Sequence, residues 1–228
     1  MISKKRKRDI IMERVRVLGD PLSRNTFIQM VDDHDLEHME GQMAELEKLA
    51  GRDWCLLTVK VKDWNQDLTP WKADPVFGNE GFGDGAAETL RMITEEVIPE
   101  FSGEYPLEDR IYYITGYSLA GLFALWAAYE TDLFRGVAAA SPSIWYSGWM
   151  DFISSHGFKA TRAYLSLGDK ESRTRNQVMA KVGDNILKTQ EVLEAAGVDC
   201  RFEWNQGNHF RDADKRTARG MAWILEEK

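Results

Sequence analysis

The chain has 228 residues, is 43% hydrophobic and carries a formal net charge of −8. That length suits one large domain, with a core that needs no disulfide or metal staples. The negative balance excludes a protein whose whole surface binds polyanions. The lack of an apolar run of about 18 residues excludes a transmembrane helix.

The one basic run, Lys4 to Arg8, reads as a solvated tail over residues 1–9, because no aromatic-interleaved patch follows it. Neither nucleic acid nor membrane is expected as a partner. No secretory signal is expected either, since no apolar stretch follows the basic start. Cys55 and Cys200 sit in strand-like runs and read as small buried hydrophobes of a reduced, cytoplasmic protein.

Along the chain, IIMERVRVL (10–18) alternates in part and predicts an edge strand, and TFIQMV (26–31) a short buried one. Leu36, Met39, Met43, Leu46 and Leu49 share one face of a helix over 35–50. WCLLTVKV (54–61) is a strand. Residues 63–85 set Trp64, Trp71, Phe77 and Phe82 among Pro, Gly, Asn and Asp, a long loop of the kind that tends to carry function. Residues 86–98 predict a helix with Pro99 near its end. RIYYIT (110–115) is a strand, and Leu119 to Tyr129 a nearly all-apolar helix that should be buried on most sides. The second half predicts a strand over 136–141, an aromatic loop over 142–150 and a strand over 162–167 ending in Gly168. A helix over 174–196 follows, closed by Gly197, then a strand over 198–204, a turn over 205–210 and a last helix over 211–227. This alternation predicts an α/β fold: a mostly parallel central sheet with helices on both faces. Reactive residues then belong in loops at the C-terminal ends of the strands.

One such loop is Gly116-Tyr117-Ser118-Leu119-Ala120-Gly121, between a strand and a helix. This is the setting of a nucleophile elbow, in which a sharp turn holds the serine backbone under strain and exposes its Oγ. Gly116 fills the first small position, Ala120 stands where glycine is usual, and Gly121 follows. A serine needs a base, and the base an orienting acid. His209, in GNHF after the last strand, is the histidine delivered from the sheet edge; His34 and His38 precede the serine, and His156 lies in a polar stretch. The acid should come from GDKE after the preceding strand. Glu171 is favoured because it can turn back toward the histidine, with Asp169 more suited to capping the loop. Arg173 and Arg175 read as partners for these acids. For the oxyanion, the N–H of Leu119 is one expected donor. The second is expected from Asp63 or Trp64, after the 54–61 strand. Tyr117, Trp71, Trp145, Tyr146 and Trp149 are expected to wall the substrate pocket. Trp204 and Trp223 are expected in the core.

With these residues placed, the sequence resembles the Putative esterase family of α/β hydrolases, which includes esterase D-like thioesterases, siderophore esterases, feruloyl esterases and mycolyltransferases. The stretches that carry the resemblance are NQDLTPW, GYSLAGLFALWAAYE, AAASPSIWY, LSLGDKESRTRN and GNHF, over about residues 54–227. It implies an α/β-hydrolase fold without a large cap, a Ser–His–acid mechanism and no cofactor. It carries Ser118, His209 and Glu171 over as triad residues. Within the family the chain is similar to small cytoplasmic hydrolases related to siderophore esterases, but the extra domain those esterases can carry is not expected.

DDHDLEH (32–38) sets His34 and His38 four apart, a spacing that can bind zinc. The acids there fit better as N-terminal helix charges, with Asp33 a candidate for the rim of the site, and no metal is expected. The expected activity is hydrolysis of a small-molecule carboxylic ester. The alternatives are acyl transfer by the same triad, a siderophore-type esterase, and a hydrolase-like scaffold that binds without turnover.

Overall fold

The computed structural model describes residues 13–226. The expected basic tail and the first part of the 10–18 strand lie outside the described residues. Among those described, seven strands form one sheet: β1 (Val15–Gly19), β2 (Asn25–Val31), β3 (Cys55–Lys60), β4 (Ile111–Tyr117), β5 (Phe134–Ala140), β6 (Arg162–Gly168) and β7 (Asp199–Asn205). Their order is β1-β3-β2-β4-β5-β6-β7; β1 runs antiparallel to β3, and every other neighbouring pair is parallel. The helices are α1 (Asp33–Ala50), α2 (Trp64–Asp67), α3 (Ala86–Met92), α4 (Ile98–Glu104), α5 (Ser118–Glu130), α6 (Trp149–Ser155), α7 (Val182–Ala195) and α8 (Ala213–Leu225).

The period of two along each strand sorts the core onto two faces. Phe27 and Val31 of β2, Leu56 of β3 and Tyr113 of β4 pack with Met39 and Leu46 of α1 and Met221 and Ile224 of α8. On the other face, Ile28, Met30, Leu57 and Ile114 pack against α3, α4 and α5, and the same cluster runs on to α6 and α7. Every residue from Leu119 to Tyr129 in α5 is buried, as its apolar run predicts. Among the described residues, no helix is long and apolar enough to cross a membrane.

Four expectations need correction. The helix expected to close near Pro99 continues to Glu104, through a wider π turn at Ile93–Val97. The i→i+5 pattern there lets the chain absorb a residue that has no N–H to donate. The helix expected from 174 starts at Val182. Before it, Thr174 Oγ1 accepts the Asn176 N–H, and Asn176 Oδ1 accepts the N–H groups of Val178 and Met179, so side chains take the bonds a helix would use. The 142–150 loop ends early, with α6 beginning at Trp149. Finally, Trp204 is 53% exposed, because it lies on the last strand at the open sheet edge, with Phe202 meeting it edge-on. Trp223 is buried as expected, under the guanidinium of Arg162.

Candidate active site

The parallel strands bring the ends of β4, β5, β6 and β7 to one edge, and each contributes a side chain there. At the end of β4, Ser118 takes φ 57°, a left-handed conformation that side chains other than glycine rarely adopt. The turn is made possible at Gly116, where a side-chain carbon would overlap the backbone carbonyl of Ala120. The methyl of Ala120 is itself buried, and the elbow forms with it in place.

Ser118 Oγ lies 3.0 Å from His209 Nε2, and His209 Nδ1 lies 2.7 Å from Glu171 Oε2. A donor hydrogen on Nδ1 leaves Nε2 free to accept from the serine. The other oxygen of Glu171, Oε1, accepts from the Ser141 hydroxyl at 2.7 Å, the Gly168 N–H at 2.7 Å and Arg216 Nη1 at 3.2 Å. Burial alone would raise the Glu171 carboxyl. The bonds from His209, Ser141 and Gly168 outweigh it and hold the group below its ordinary value, so it is ionised. Asp169 is turned elsewhere: its Oδ1 accepts the Gly207 N–H at 2.8 Å, which closes the β6 loop onto the histidine loop. Arg173 and Arg175 pair with neither acid, contrary to expectation; Glu171 is taken by His209 and Arg216.

Two site residues escaped the sequence reading. Ser141, just past β5, is buried at φ 43° and donates to Glu171. Arg216, from the second turn of α8, is fully buried behind the acid. Its Nη1 donates to Tyr117 Oη, Ser141 Oγ and Glu171 Oε1, and its Nη2 to the carbonyls of Gln206 and Asn208.

The structure spreads the expected pocket residues over different surroundings. A cavity of about 240 Å³ opens beside His209, lined by Trp145, Lys170, Arg173, Met179 and Phe210 among others. Trp145 is the one expected wall residue that lines it. Trp149 has no exposed surface and donates its indole N–H toward Thr189 in the core. Tyr146 is buried with its hydroxyl on the Trp71 carbonyl, and Trp71 is anchored to the Ser147 carbonyl and packs on Phe152. These rings pack together at the sheet end, with Tyr146 and Trp149 buried. Tyr117 has its hydroxyl turned inward, donating to the His209 carbonyl at 2.6 Å, and burial pushes its pKa up to about 12, so it stays a neutral donor.

The Leu119 N–H opens α5 beside Ser118. The Asp63 N–H is unsuited as the second donor because the Asp67 carboxylate takes it at 3.1 Å. Trp64 follows β3, which β2 separates from β4. The turn next to the elbow on that side is therefore the β2–α1 turn, where Asp33 and His34 open a helix capped by Asp32. His34 and His38 meet edge to face with ring centres 4.7 Å apart, and no set of three metal-ligating side chains occurs among the described residues.

Residues 33–212 match the family model described as "Putative esterase". The chain belongs to this esterase family. It is 28% identical over 156 residues to ferri-bacillibactin esterase BesA of Bacillus subtilis (strain 168), a match over 62% of this chain and 52% of that protein, so it spans about half the length of that relative. Among solved structures, an IroE-like serine hydrolase from Shewanella oneidensis superposes with TM-score 0.74 at 15% identity, covering 92% of this chain and 75% of that one. Siderophore hydrolase EstA from Aspergillus nidulans superposes with TM-score 0.71 at 19% identity, covering 92% and 88%. At those identities the superpositions show the fold alone, and it is the α/β-hydrolase fold of this esterase family.

Proposed function

We propose that the protein is a serine esterase in which Ser118 is the nucleophile, His209 the general base and acid, and Glu171 the carboxylate that orients the imidazole. The observation that carries this reading is the continuous chain of bonds from Ser118 Oγ through both nitrogens of His209 to Glu171. Ser118 Oγ adds to the ester carbonyl while its proton passes to His209 Nε2. The tetrahedral oxyanion is held by the Leu119 N–H and a second backbone N–H, for which the β2–α1 turn at Asp33 or His34 is better set than Trp64. Collapse breaks the bond to the alcohol oxygen, which leaves with the proton from His209. Water then repeats the sequence on the acyl-enzyme, giving the acid and free Ser118. We take this as one catalytic domain, working in the cytoplasm without a cofactor.

The substrate class follows from the cavity and the relative. Lys170 and Arg173 line the cavity and have no ion-pair partner among the described residues, beside Trp145 and Phe210. Two unpaired cations with aromatic surface suit an ester that carries negative charge on an aromatic group, and BesA is a ferri-bacillibactin esterase. The test is kcat/KM on p-nitrophenyl esters of graded acyl length and on a catecholate serine ester. Turnover is expected, and Lys170→Ala with Arg173→Ala should lower the catecholate rate about tenfold more than the p-nitrophenyl butyrate rate. Folded protein that cleaves none of these esters would contradict the esterase reading. Equal losses on both substrates would contradict the charged substrate.

A further inference from the structure

Arg216 is the feature of the site that hydrolysis by three residues leaves unexplained. A fully buried guanidinium is costly unless it is paired and hydrogen-bonded. Here it meets four parts of the fold: Tyr117 at the end of β4, Ser141 after β5, Glu171 after β6 and the Gln206 and Asn208 carbonyls after β7. Three of those strand ends carry Ser118, Glu171 and His209, and the fourth carries Ser141. The planar fork fixes directions that an ammonium could not. Tyr117 extends the same link, accepting from Arg216 Nη1 at 3.2 Å and donating to the His209 carbonyl at 2.6 Å.

Resting on the esterase reading, we propose that Arg216 is a positioning residue that registers the acid loop against the histidine loop. Arg216 Nη1, 3.2 Å from the far oxygen of Glu171, holds that carboxylate in the orientation in which its other oxygen meets His209. The other charged or titratable groups facing the pair are Tyr117 from β4 and Lys170 and Arg173 from the loop after β6. Asp169 is held by Gly207, and Arg211 by Asp212. Of these groups, Arg216 alone is a buried charge in contact with the acid.

The experiment measures kcat and KM separately on p-nitrophenyl butyrate for Arg216→Met, Arg216→Lys and Tyr117→Phe, with folding checked by circular dichroism. Arg216→Met should lower kcat at least tenfold with KM within about twofold. Arg216→Lys should leave kcat reduced, because charge returns without the fork. Tyr117→Phe should lower kcat about fivefold, since it loses one neutral bond. A folded Arg216→Met with wild-type kcat, or with a loss carried by KM, overturns the proposal. If Arg216→Met does not fold, the other two decide: reduced kcat at unchanged KM in both supports the positioning role, and wild-type kcat in either overturns it. A wild-type protein that turns over no ester would defeat the esterase reading instead, and that failure is visible before any variant is made.

Discussion

Replacing Ser118 with alanine should lower kcat on p-nitrophenyl butyrate by roughly 10⁶-fold, the scale seen when a triad serine is removed alone. The loss should be chemical and not structural. Ser118 sits at φ 57°, a strain that alanine shares. The substitution removes the hydroxyl bonded to His209 at 3.0 Å and near Ser143 at 3.3 Å, neither of which holds a loop in place. Stability should therefore change by no more than about 1 kcal/mol, measured by urea unfolding. KM should stay within a few-fold, because the cavity walls are untouched. Full activity in Ser118→Ala would remove the serine from the mechanism.

The second large effect is at the acid. Glu171→Gln should lower kcat by about 10⁴-fold, since an amide no longer fixes the imidazole tautomer that leaves Nε2 free to accept. Unlike the serine substitution, it should also destabilise the protein by about 3–5 kcal/mol, because Arg216 is left buried without its counter-charge. Asp169→Asn should keep kcat within a few-fold, since an amide oxygen can still accept the Gly207 N–H. The reverse pattern would exchange the two acids. The same carboxylate predicts how stability responds to acid. Its folded pKa lies below the ordinary 4.5, so its ionised form stabilises the fold above that value. The contribution is lost as the pH falls through the lower folded value, and Glu171→Gln should abolish that part of the acid dependence.

The cluster of Ser118, His209 and Glu171 was legible because each member follows its own strand. An elbow of the form Gly116-x-Ser118, an acid three residues past Gly168 and a histidine after the last strand need only the order of elements, which apolar periodicity supplies. The strand order in space is not written that way. β3 follows β2 in the chain yet sits beyond it in the sheet, and this moves the expected second oxyanion donor away from Asp63 and Trp64. Arg216 was illegible for another reason. It stands among Asp214, Lys215 and Arg219, and in a sequence such a run reads as a solvated helix face; its burial depends on where α8 meets the histidine loop. The surroundings of the aromatic residues were not legible, because a sheet end packed by Trp71, Tyr146 and Trp149 and a pocket lined by them have the same composition.

The most direct measurement of the central claim is labelling of the folded protein with a fluorophosphonate probe, followed by mass spectrometric mapping of the adduct. An activated serine should be labelled once, on Ser118, and the labelling should disappear in Ser118→Ala and fall sharply in His209→Ala. Folded protein that takes up no probe, or takes it up on Ser141 or Ser143, would contradict the account.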